Sequence, residues 1–319
     1  MAATIRLQDT IAATKPYVNW ANLTIGDSLE PALTAANMIL QTIVGPPFVW
    51  PWNRGTATFL AIQGVQDYNA AISSYGWLES ATIQSAAIIT SVTILNNVAT
   101  YQAVNNFSGM DNFVPGTTAV TISGCTSSFF NGTFQIQTAT ATTFTVNLNH
   151  NNVTENESGA RALAGKIKPL EIKWGSQGEA TEQDRPTFIS TQQSDESGTT
   201  FTFRLLPVPE QTYQVNLTFQ LTPTFFSAVI PAQGISQVWG IPDQLQYIYT
   251  YFFMFFMLDY FEDVRAARYR QLAVAALLAR QAGLSETDRN LFLGNWLPLL
   301  KEEESATLDN QQGTQARGL

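Results

Sequence analysis

Two hydrophobic periods alternate along this chain, and together they divide it. Residues 27–43, "DSLEPALTAANMILQTI", repeat apolar positions at helical spacing through Leu29, Leu33, Ala36, Ile39, Leu40 and Ile43. Asp27 or Ser28 can cap the start, Pro31 lies in the first turn, where a missing N–H is tolerated, and Gly45-Pro46-Pro47 ends the run. "FVWPWNRG" follows, with Trp50 and Trp52 around a proline. Such a pair either anchors the helix against a sheet or protrudes as an interface hot spot. From Thr56 the period drops to two. "TATFLAIQGVQDYNA" reads as strand, turn and strand, and "WLESATIQ" alternates. The same style returns after residue 165 in "KPLEIKWG", "RPTFIST" and "TTFTFRLLPVPEQTYQVNLTFQ". There Tyr213, Val215, Leu217, Phe219 and Leu221 mark one buried face of a strand.

Between these β segments lies a Thr-rich island, Gly116 to Leu148. Its strands are predicted near Ala119–Ile122, Gly132–Gln137 and Thr143–Leu148, and Asn131-Gly132 supplies the residues of a tight turn. Polar junctions at Asn96–Gly116 and His150–Gly165 frame it. The fold class expected is α+β: a helical layer, made of an N-terminal helix and C-terminal helices, with an antiparallel β domain interrupted by a β-module. The core spans 1–96 and 163–300, the insertion 97–162, and a tail 301–319.

The C-terminal third changes the picture. "YIYTYFFMFFMLDYF" holds nine aromatic residues in fifteen positions. Pro242-Asp243 signals its start, but the uncharged stretch Gln244–Leu258 is too short and too polar for a bilayer span, which takes about twenty apolar residues. It is expected to be a helix covered on nearly all sides, partly by neighbouring subunits. "VRAARYRQLAVAALLARQAGL" reads as an amphipathic helix. Leu272, Ala276 and Ala279 share one face, Val274, Leu277 and Leu278 broaden it, and Arg265, Arg268, Arg270 and Arg280 lie elsewhere. Gly283 suits its C-cap, and Ser285 with Asp288 resembles the capping box of a third helix. The tail "KEEESATLDNQQGTQARGL" is polar and aperiodic, so a partner must order it if it is ordered.

Charge and composition narrow the chemistry. Charged residues make up 13% of the chain, about half the usual share, and the net charge is −9. That argues against a general nucleic-acid binder and fits either a turn-rich β protein or a subunit buried in an assembly. One cysteine, Cys125, and one histidine, His150, cannot build a disulfide framework or a Cys/His zinc site. Their pairing as a nucleophile is formally possible, and chance placement is the better account. No catalytic, cofactor or metal site is assigned. The N-terminus lacks the pattern of a signal peptide, and the six N-x-S/T sequons along the chain follow from an Asn/Thr-rich composition.

Taken in order, "SLEPALTAANMILQTI", "FVWPWNRG", "TFLAIQGVQDYN", "DRPTFIS", "TFRLLPVPEQTYQVNLTFQLTP" and "IPDQLQYIYTYFFMFFMLDYFEDVRAARYRQ" resemble the head-to-tail adaptor proteins of short-tailed bacteriophages, the tail tubular protein A type. The resemblance covers roughly 25–95 and 165–290. It leaves out the inserted module, which is similar to the small Ig-like β-sandwiches of phage structural proteins. It implies a ring, commonly twelvefold, between the portal and the tail nozzle, enclosing a channel through which DNA passes without specific binding. It further implies a virion protein made in the bacterial host cytoplasm, whose C-terminal segment reaches the portal.

On that reading the candidate portal contacts are Lys301, Glu302, Leu308, Arg317 and Leu319. The candidate intersubunit contacts are Trp50, Trp52, Arg265, Arg268, Arg270, Phe252 and Phe255. The alternative in the same class is another phage tail or baseplate hub protein. In a different class, Asp259, Glu262 and Asp263 could serve as paired carboxylates of a glycoside hydrolase, against the ordinary reading of ion pairs with Arg265 and Arg268. A carbohydrate-binding role for the inserted module is a further alternative.

Overall fold

The computed structural model describes residues 3–18, 30–104, 114–173, 182–193, 200–227, 237–281, 284–290 and 292–293. The chain folds as α+β in two compact units, a helical one from residues 1–54 and 220–319 and a β one from residues 55–219. The sequence boundaries at 96/97 and 162/163 therefore fall inside the β unit, not between units.

The helical unit is built on α1 (Leu7–Thr14), α2 (Ala32–Val44), α3 (Gln246–Tyr260) and α4 (Ala266–Ala279), with further helix at 286–290 and 292–293. In α2 the apolar positions Leu33, Ala36, Ile39, Leu40 and Ile43 are all buried, as their spacing predicts. The expected cap residues Asp27 and Ser28, and Leu29, lie outside the described residues. Pro31 is the N-cap itself, and the Glu30 carboxylate accepts the Thr34 N–H at 3.1 Å. Gly45 is the C-cap of α2, and only glycine fits there, since a Cβ would come within 2.5 Å of the Gln41 carbonyl oxygen that its N–H donates to.

α3 packs against α4, α2 and α1. Its buried set, Ile248, Tyr249, Phe252, Phe253, Met254, Phe255, Met257 and Leu258, runs around most of the helix. The cover comes from the same chain: these side chains share one core with α2, α4 and Trp239, whose indole stacks on Tyr249 at 4.6 Å. This corrects the expectation that part of the cover comes from neighbouring subunits. Among the described residues no helix is long and apolar enough to cross a membrane.

In the β unit two 21-residue strands, β3 (Tyr75–Leu95) and β8 (Val153–Lys173), run antiparallel and are shared by two sub-structures. Around their outer halves lie β1 (Arg54–Ala61), β2 (Asp67–Ala71), β10 (Phe188–Gln193), β11 (Thr200–Leu206) and β13 (Tyr213–Leu221), ordered β1-β13-β3 on one side and β8-β10-β11-β2 on the other. Tyr213, Val215, Leu217 and Phe219 are buried, as their alternation predicts. Tyr75 sits at the centre, 4.4 Å from Phe201 and 5.3 Å from Phe219. A short parallel pair, β9 (Gln183–Asp184) and β12 (Val208–Pro209), closes one corner.

The inner halves of β3 and β8 join β4 (Val98–Ala103), β5 (Ala119–Ser123), β6 (Gly132–Ala139) and β7 (Thr143–Asn147). Hydrogen bonding runs β3-β4-β7-β6-β5-β8 and back to β3. Ala162 of β8 lies opposite Ala87 of β3 on one side and Ile122 of β5 on the other. The Ig-like expectation of two separate sheets is thus refined to a six-stranded circuit around one core containing Tyr101, Phe130, Phe144 and Ile136. The module also begins near Ser85, since Ala87, Ile89, Val92 and Ile94 point into that core. The polar Asn96-Asn97, taken for a junction, is the two-residue β3–β4 turn, with φ of 54° and 64°. Asn131-Gly132, taken for a hairpin turn, is not one. Asn131 has φ −86°, and its side-chain amide pairs with both the N–H and the carbonyl of Cys125, closing a loop before β6.

Candidate interaction surface

The predicted intersubunit residues separate into three groups. Trp50, Phe252, Phe255 and Arg270 are buried, at 4%, 0%, 7% and 4% exposure. A side chain enclosed by its own chain has no surface to offer a neighbour, so these four are corrected to core residues. Trp50 is the anchor: its indole N–H donates to the Ile43 carbonyl at 2.6 Å and its main-chain N–H to Gln220 Oε1 at 3.1 Å. Trp52 is half-buried beside it, ring centroids 5.7 Å apart. The Arg270 guanidinium lies 5.4 Å from the Phe255 ring centroid.

Arg265 is exposed and already committed. It grips Asp263 through Nε at 2.9 Å and Nη2 at 2.6 Å, and donates to the Tyr17 carbonyl at 3.0 Å. That grip holds the Asp263 carboxyl down to about 2. Asp263 therefore pairs with Arg265, but two residues apart in the turn between α3 and α4 rather than at the three- or four-residue helical spacing expected. Glu262 occupies a left-handed turn position, φ 53°, between α3 and α4. Arg268 is exposed and has no ion-pair partner among the described residues. The expected portal contacts from Lys301 onward lie outside the described residues, as does Gly283. One half of the capping box is present: the Asp288 N–H donates to Ser285 Oγ at 3.1 Å, and the Ser285 hydroxyl donates to the Asp288 carboxylate.

α4 turns a different face inward than its composition suggested. Ala266, Arg270, Ala273, Val274 and Leu277 are buried, while Leu272 and Ala279 are exposed. Arg268, Leu272, Ala275 and Ala279 consequently form one solvent-facing stripe at helical spacing, and Val264 and Tyr260, before α4 and at the end of α3, are also exposed at 89% and 63%. Sequence reasoning missed this stripe because the helix is apolar on two faces, and only packing decides which one is covered. It also missed Trp239, whose indole N–H donates to Thr10 Oγ1 at 2.8 Å and ties α1 into the core.

Cys125 and His150 do not form a catalytic pair in kind. Burial, followed by the charges of Glu157 and Glu155, pushes the Cys125 thiol up to about 12, so it is protonated at neutral pH. His150 is exposed and stacks on Phe129 at 3.8 Å. Among the described residues no group of three or more His, Cys, Asp or Glu side chains is placed to hold a metal ion. No known protein family matches the chain, and no characterised protein is significantly similar to it.

Proposed function

We propose that the protein is a non-enzymatic ring-forming connector of a phage virion, the head-to-tail adaptor that its sequence resembles. The observation that carries this reading is the exposed stripe on α4. An apolar helix face of Leu272, Ala275 and Ala279, with an Arg268 that has no ion-pair partner among the described residues, suits close packing against another helix. A heterologous contact of this kind, one face meeting a different face of the next copy, generates a ring when the rotation closes. In an acidic chain the lone arginine of the stripe supplies the charge complement to a neighbour's carboxylates. The polar C-terminal tail from Lys301 then serves as the portal contact, and the acidic total favours a channel that lets DNA slide.

The test is particle mass of the purified chain, alone and mixed with the portal ring of the same phage, for wild type, Leu272→Glu/Ala275→Glu and a chain ended after Leu300. The reading expects portal-dependent rings of wild type, lost in both variants while far-UV circular dichroism is unchanged. A wild-type chain that joins tail proteins and ignores the portal is a hub protein. One that stays monomeric with every partner is not a connector.

A further inference from the structure

The cations of this acidic chain are not spread evenly. A cavity of about 450 Å³ in the β unit is lined by Thr117, Thr118, Ala119, Gly165, Lys166, Lys168 and Arg185, three cationic side chains and no carboxylate. The register explains how they converge. Between the pairs Ser85–Ala164 and Ile83–Lys168, β3 advances two residues while β8 advances four, a bulge that re-aims the side chains of β8. Gly165 takes φ 75° there, and Gln84 Nε2 donates to its carbonyl at 3.0 Å, fixing the bulge. Lys166 and Lys168 lie at alternate positions and both are exposed.

None of the three cations has an ion-pair partner among the described residues. Lys173, farther along the same strand, rests over the Phe188 ring at 3.6 Å, whereas Lys166 and Lys168 have no ring or carboxylate partner among the described residues. Arg185 stands 5.8 Å from the Tyr213 ring centroid, and its Nε and Nη2 are buried without a hydrogen-bond acceptor. Unmatched guanidinium donors are costly, and an anion removes the cost. Across the cavity Thr118 Oγ1 accepts the Val114 N–H at 3.0 Å, which leaves its own proton to donate.

We propose that this cavity binds a phosphate group, in a small phosphorylated ligand or in a nucleic-acid backbone. Three positive charges match a multiply charged oxyanion better than a single carboxylate, which would leave two uncompensated. The Arg185 fork and the lysine point charges supply the two usual modes of phosphate recognition. The site belongs to the β unit alone and does not depend on the connector reading.

The experiment is calorimetric titration of the full chain at low ionic strength, where charge pairing is least screened, with sodium pyrophosphate, a DNA duplex and a tetraglutamate peptide. Pyrophosphate is expected to bind, and Lys166→Ala/Lys168→Ala to weaken it by about tenfold or more with an unchanged melting midpoint, because both side chains are exposed. Arg185→Lys keeps the charge, loses the fork and also weakens binding. If the duplex binds, competes with pyrophosphate and is lost in the double variant, the phosphate comes from a nucleic-acid backbone. If only pyrophosphate binds, it comes from a small ligand. Binding of the peptide alone, no binding at all, or equal binding by the double variant overturns the proposal.

Discussion

The side-chain amide of Gln220, wholly buried, accepts the main-chain N–H of Trp50 at 3.1 Å. Trp50 in turn holds the last turn of α2 through its indole, so one buried amide fixes the exit of that helix. Gln220→Met keeps the volume and removes the acceptor, leaving a buried N–H unpaired. The expected cost is about 1–3 kcal/mol, read from the urea midpoint at unchanged slope. A midpoint equal to wild type would show that the amide contributes nothing.

Phe252 decides where the aromatic helix finds its cover. Its ring is fully enclosed by its own chain, so Phe252→Ala is expected to cost about 3–5 kcal/mol. That loss should be the same at any protein concentration. If neighbours supplied the cover, stability would rise with concentration, as mass action requires of an interface residue.

Asn97 carries the tightest local demand. With φ of 64° in the β3–β4 turn it occupies a region that β-branched residues avoid. Asn97→Gly should leave the thermal midpoint close to wild type, while Asn97→Val should lower stability by about 1–2 kcal/mol. Equal effects from the two variants would sink the turn argument.

What the sequence disclosed follows from what each signal reports. The strand Tyr213–Leu221 and the apolar face of α2 were legible because a single buried face imposes one period on its residues. α1 was missed because Leu7, Thr10 and Thr14 bury two hydroxyls with one aliphatic side chain, and the Asp9 carboxylate that accepts the Arg6 N–H at 2.9 Å looks like ordinary surface polarity. The module boundary was misplaced for a different reason. β3 and β8 are continuous through both sub-structures, so no break in pattern marks where the circuit begins. The exposed face of α4 and the cations around Gly165 depend on which surfaces and strands meet across the fold, and no local pattern carries that.

Asp263 gives the pH dependence its sign. Its carboxyl, held to about 2 chiefly by the Arg265 hydrogen bonds, stands below the ordinary 3.8. A depressed folded-state value means that the stabilisation is complete above about 4 and fades as pH falls towards 2. Water screens the pair, so the amount is small. Asp263→Asn should lower stability at pH 7 by that small amount and approach wild type as the pH falls below 2. A larger deficit at pH 2 than at pH 7 contradicts the pairing.

Cys125 offers a readout of the module's interior. Its thiol, 7% exposed, is raised from 9.0 to about 12, first by burial and then by Glu157 and Glu155. A raised thiol pKa leaves less thiolate, and the thiolate is the species that reacts. Iodoacetamide at pH 8 should therefore label the native chain more slowly than the chain in denaturant, by about tenfold or more. Glu157→Gln separates the two causes. It keeps an oxygen to accept the Thr126 N–H, bonded to Glu157 Oε2 at 2.8 Å, while removing the charge. Labelling should then quicken without reaching the unfolded rate, because burial is the larger cause. A variant as slow as wild type would mean that burial alone protects the thiol, and native labelling as fast as in denaturant would mean that the module opens freely.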